Sequence, residues 1–97
     1  MRLVFHPRVH ADLVEIMAYY ERVGAPGLVE AFYAEFLEYA NQAAAAPASF
    51  ASRERNIRRA DLRRFPYHIL FRVSIDSVRV LVVRHHRRRP SLGLARR

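Results

Sequence analysis

The 97-residue sequence contains no cysteine and no lysine, has only three glycines, and holds no uninterrupted apolar run near the ~20 residues that cross a bilayer. The lack of cysteine excludes disulfide scaffolds, thiolate metal sites and a cysteine nucleophile. The lack of a long apolar run, and of any signal-peptide layout at the start, sets the expectation of a cytoplasmic protein with no membrane partner. The few glycines form no phosphate-cradling loop. No internal repeat or long linker divides the chain. Because lysine is missing, all 17 basic residues are arginine. Any anion held by basic side chains is therefore held by planar guanidinium groups, which bind phosphate or carboxylate through paired hydrogen bonds.

What is present points to a folded domain. At 52% hydrophobic the chain is too apolar to be a solvated basic tail. Its length suits a single domain over 1–97, with a basic tail at 86–97. A chain this short buries about 60–65% of its unfolded surface, so it gains stability from a partner. The net charge of +8 is unevenly placed. Residues 1–50 carry three arginines and six acids, whereas residues 51–97 carry fourteen arginines and three acids. Such asymmetry predicts an anionic partner for the second half.

Hydrophobic periodicity divides the chain further. Arg2 to Phe5 reads as a short strand ending at His6-Pro7, and Pro7 suits a helix first turn with His6 near the N-cap. Val9, Leu13, Ile16, Met17 and Tyr20 recur at helical spacing, and Gly24-Ala25-Pro26-Gly27 ends that helix in a tight turn. Val29, Phe32, Phe36 and Ala43 form the stripe of a second helix, with Glu30, Glu35 and Glu38 elsewhere on its circumference and Pro47 closing it. Residues 47–56 lack periodicity and read as a loop. Ile57 to Leu62 reads as a short strand, and Phe65 to Ser74 and Ser77 to His85 as stronger ones joined through Ile75-Asp76. The order predicts an α+β fold: an N-terminal strand, an α-helical hairpin, then a mainly antiparallel three-stranded segment completing one sheet.

With Ile75-Asp76 as the turn, Val73 faces Val78, Arg72 faces Arg79, Phe71 faces Val80 and His68 faces Val83. Tyr67, Ile69, Phe71, Val73, Val78, Val80 and Val82 then meet the helices. His68, Leu70, Arg72, Arg79, Leu81, Val83 and His85 occupy the other face. A bulge in the hairpin would shift this register. Two arginines directly opposite each other are unfavourable unless an anion or an acid lies between them. Singly, each reads as a solvated surface residue. Together, His68, Arg72, Arg79, His85 and the nearby Arg87, Arg88 and Arg89 point to an anion-binding surface. Neighbours on a strand point to opposite faces, so His85 and His86 are not expected to share a metal, and no metal site or cofactor is predicted. One of them is either a proton-transfer group or a structural histidine at a strand end.

The chain resembles the RelE/ParE superfamily of toxins from type II toxin–antitoxin systems. The likeness is carried by three segments in order: Leu3 to Arg8 followed by Ala11-Asp12-Leu13; Arg64 to Val73; and Val78 to Pro90. It implies a small toxin neutralised by a cognate antitoxin in a toxin–antitoxin hetero-oligomer, as in plasmid stabilization systems. RelE-like members cleave messenger RNA on the ribosome without a metal, and ParE-like members act on DNA gyrase. RelE-like members usually carry arginine where His68 stands. The tyrosine that some of them carry in the tail is replaced here by Leu92 or Leu94. The His85-x-x-Arg88 ending looks more like the ParE type. The resemblance thus implies a ParE-like toxin, with Arg72, Arg79, Arg84, Arg87, Arg88 and His68 contacting target, antitoxin or anion. The alternative is a ribosome-dependent endoribonuclease using His85 or His86 as acid/base.

Overall fold

The computed structural model describes residues 1–88 and 95–96. The elements are β1 (Arg2–Phe5), α1 (Val9–Val23), α2 (Leu28–Ala45), a 3-10 turn (Pro47–Ser49), β2 (Ala51–Glu54), β3 (Ile57–Asp61), β4 (Tyr67–Val73) and β5 (Ser77–His85). The five strands form one sheet in the order β1-β5-β4-β3-β2, with β1 parallel to β5 and the other pairs antiparallel. Leu92 and Leu94, and most of the basic tail, lie outside the described residues.

The helical hairpin turns where the sequence says it should. Gly24 takes φ 79°, a left-handed conformation that costs glycine nothing, and its N–H donates to the Tyr20 carbonyl. The start of α1 differs from expectation. Arg8 is the N-cap and no side chain caps the helix; the Arg8 N–H donates to His6 Nδ1 at 3.1 Å, in the turn that leads into it. Both helices cover one sheet face. Ile16, Tyr20, Phe32, Phe36, Ala40 and Ala43 pack on Ile69, Phe71, Val78 and Val80. Ala40 and Ala43 are fully buried, and their small side chains let α2 approach the strands closely. Tyr20, Phe32, Phe65 and Tyr67 fill one end of this core, mostly edge to face.

Two expectations are corrected. Residues 51–54 are not loop but an edge strand, β2, whose four residues are all exposed. A strand that buries neither face leaves no alternation to read. The second correction concerns register. Val73–Val78, Arg72–Arg79 and Phe71–Val80 pair as expected, but a bulge at Leu81 then sets Leu70 against Val82, Ile69 against Val83, His68 against Arg84 and Tyr67 against His85. One extra residue reverses the facing of everything beyond it. Val83 joins the helix-side core, and Val82 joins Ile57, Leu70 and Leu81 in a small cluster on the opposite face. His68 does not face Val83.

The ladder of β5 is only half covered by β1, which pairs with residues 77–80 and stops. Beyond it, side chains take over the exposed edge. Asp12 of α1 accepts the Val83 N–H at 3.1 Å. Arg96 donates to both Asp12 oxygens, at 2.7 and 3.1 Å, and to the Leu81 carbonyl at 3.1 Å. An open groove of about 450 Å³ runs beside this edge, between α1 residues such as Glu15 and Tyr19 and the end of β5.

Candidate functional site

The bulge decides which basic residues share a surface. On the face away from the helices, the ends of β3, β4 and β5 bring Arg59, Asp61, His68 and Arg84 together, and the turn after β5 adds His86. His68 is buried at 1% exposure, and Arg84 is 5% exposed beside it. Arg84 Nε donates to His68 Nε2 at 2.8 Å. On the other side of the ring, His68 Nδ1 lies 3.0 Å from His86 Nδ1, the two rings being parallel within 6°. Arg59 Nη2 also approaches His86 Nδ1, at 3.4 Å, while its Nε bonds Asp61 at 2.6 Å.

These contacts fix the protons. A guanidinium only donates, so His68 Nε2 must be an acceptor and the proton of the neutral ring sits on Nδ1. That proton points at His86 Nδ1, which is thereby an acceptor, and Arg59 donates towards the same nitrogen. With Nδ1 accepting, His86 carries its N–H on Nε2, on an exposed ring. Burial depresses the pKa of His68 to about 4, with Arg59, Arg84 and His86 adding to the effect and Asp61 opposing it. His68 is therefore neutral at physiological pH. Burial likewise lowers the pKa of Arg84, with Arg59 and Arg53 contributing.

Ligand atoms of Asp61, His68 and His86 lie within 4.8 Å of one another, close enough to hold a metal. The donor set does not suit one. Coordination through His68 Nδ1 would need the proton on Nε2, which faces the Arg84 N–H, and Asp61 is already engaged by Arg59. The trio is a hydrogen-bonded chain rather than a chelate.

The remaining sequence-predicted residues fall elsewhere. His85 is on the helix side, its ring edge-on to Tyr67 at 5.2 Å, and its Nδ1 accepts the Arg87 N–H at 3.0 Å. His85 and His86 thus lie on opposite sides, and His85 is split from the arginines with which it was expected to act. Arg87 is exposed in the turn. Arg88 meets Glu15 at 3.1 Å with both side chains mostly in water, where an ion pair contributes little. Arg72 and Arg79 stand directly opposite on the face of His68, as expected. Among the described residues neither forms an ion pair, and the buried Arg79 Nε has no hydrogen-bond partner.

Sequence reasoning missed Arg59, Asp61, Asp12, Arg96 and Glu35. Glu35 looked like part of a polar helix flank. It is 2% exposed, and accepts the N–H groups of Arg63 and Arg64 at 2.8 and 2.9 Å and Arg64 Nε at 3.0 Å. It thereby ties α2 to the loop between β3 and β4. Only the run of acids on α2 and of arginines at 58–64 hinted at such a tie.

A family model described as the ParE toxin of type II toxin–antitoxin system, parDE, matches residues 3–90. Toxin ParE2 of Mycobacterium tuberculosis, in the CDC 1551 / Oshkosh and ATCC 25618 / H37Rv strains, is 31% identical over 91 residues, covering 93% of this chain and 86% of the relative. A solved structure described as the chromosomal ParDE TA system from P. aeruginosa superposes with a TM-score of 0.76 at 22% identity, covering 88% of this chain and 95% of the other. It is similar in fold.

Proposed function

The chain belongs to the ParE toxin family of type II toxin–antitoxin systems, and from that premise we propose that it inhibits growth by binding DNA gyrase in the cytoplasm and is neutralised by a cognate antitoxin in a hetero-oligomer. The gyrase target follows from the ParE-like reading of the sequence. What supports binding over messenger RNA cleavage is the direction of the hydrogen bonds around His68 and His86. A general base needs a lone pair facing its substrate, and a general acid needs a proton it can release. In this arrangement His86 Nδ1 faces inwards, towards His68 and Arg59. His85, on the other side of the sheet, is hydrogen-bonded to the turn. No acid/base pair stands ready on the arginine face among the described residues.

Brief expression followed by a gyrase supercoiling assay and transcript mapping tests this function. Inhibited supercoiling without codon-positioned cuts is the expected result. Cuts positioned by codon, with supercoiling unaffected, would overturn it in favour of a RelE-like, ribosome-dependent endoribonuclease. Co-expression of the protein encoded beside this gene is expected to restore growth; unrestored growth would remove that protein as the antitoxin.

A further inference from the structure

The two contacts that link Arg84, His68 and His86 run in one direction. Arg84 Nε–H donates to His68 Nε2, and the proton on His68 Nδ1 then donates to His86 Nδ1. The last free donor is His86 Nε2–H, on an exposed ring just past the end of β5. In such a chain each bond polarises the next, so positive charge on a buried guanidinium strengthens a donor at the surface. Arg59 adds a second positive charge beside the same ring. Asp61, the acid in this cluster, bonds Arg59 through Oδ1, and among the described residues no hydrogen bond joins it to His86.

We propose that His86 Nε2–H, at the end of the Arg84–His68–His86 donor chain and beside Arg59, is a binding site for a phosphate-type oxyanion. The site differs from an isolated surface histidine in that His86 Nδ1 is already engaged by His68 at 3.0 Å and approached by Arg59 at 3.4 Å, which leaves Nε2 as the donor. The ligand's oxygen accepts from Nε2, and Arg59 supplies the adjacent charge. The chain is built from two strands, β4 and β5, and the turn after β5, so the donor is held in place before any ligand arrives. Nothing in this proposal depends on which cellular target the toxin has.

Nitrogen-resolved NMR of the histidine rings tests the proposal on the intact protein. The expected result is a proton on Nδ1 of His68 and on Nε2 of His86. Titration with inorganic phosphate at pH 8 should then move the His86 ring signals saturably, leaving those of His10 unchanged. His86→Ala, at an exposed position that tolerates truncation, should weaken phosphate binding at least tenfold, as followed at the backbone amides of β3 and β4. A short single-stranded oligodeoxynucleotide forms the second arm. Movement with the oligonucleotide alone assigns the site to phosphodiesters, and movement with both probes assigns it to the phosphate group in general. A proton on Nδ1 of His86, or His86 signals that neither probe moves, would overturn the proposal.

Discussion

A neutral imidazole enclosed by arginines carries a definite acid signature. The unfolded chain protonates His68 near the ordinary value of 6.5, whereas the folded protein resists until about 4. Between those values the unfolded state binds the extra proton, so stability falls as pH is lowered from 6.5 to 4 and this contribution levels off below. NMR titration should find no change of charge at His68 above pH 5. Glu35 acts in a lower window. Burial alone would raise its pKa, but the Arg64 and Arg63 N–H groups and the Arg64 side chain outweigh burial and hold it below 4.5. Its contribution is complete above 4.5 and is lost as pH falls through the depressed value. Glu35→Gln should cost about 2 kcal/mol at pH 7, in the range for hydrogen bonds to a buried charge. The same variant should lose less stability than the wild type between pH 4.5 and 3, as urea denaturation would measure. Neither residue could be graded from the sequence. His68 was visible as a member of the basic face, but its burial depends on Arg84, which only the bulge brings opposite. Glu35 is held by a loop 28 and 29 residues further along the chain, and helical periodicity has no access to that.

The strands and helices that bury one face were legible, because burial writes a period into the side chains. β1, α1, α2, β3, β4 and β5 all follow from such patterns. β2 did not, since all of its residues face water and pairing with β3 is through the backbone alone. The missing half of the β5 edge was equally hidden. There a carboxylate and a guanidinium replace backbone partners, so Asp12 serves the sheet although it belongs to a helix. Asp12→Ala leaves the Val83 N–H without this acceptor and Arg96 without its carboxylate. The expected cost is about 3 kcal/mol, combining a charge-assisted hydrogen bond with a largely buried ion pair. The Val83 amide should then be the β5 position whose hydrogen exchange accelerates most. Unchanged exchange at Val83 would show that water replaces Asp12 without loss.

At the scale of the whole molecule the dominant property is the separation of charge, with the acids on the helical half and the arginines on the sheet and tail. Attraction of this range speeds encounter more than it tightens the final complex. Association with the antitoxin should therefore slow by about tenfold or more between 50 and 300 mM salt, with a smaller change in dissociation rate, as stopped-flow mixing would measure. An association rate insensitive to salt would move the contact to the apolar side chains exposed on the helices, such as Val14, Tyr19, Val23 and Tyr33. The bulge at Leu81 has a further consequence for comparing such molecules with their relatives. It works as a parity switch: odd-numbered residues of β5 face one way after it and even-numbered residues before it. A relative lacking the extra residue, aligned without a gap, would match Arg84 to a position under the helices and His85 to one on the arginine surface. Equivalent letters in the two chains would then point in opposite directions, and a histidine shared by both would be shared in name alone.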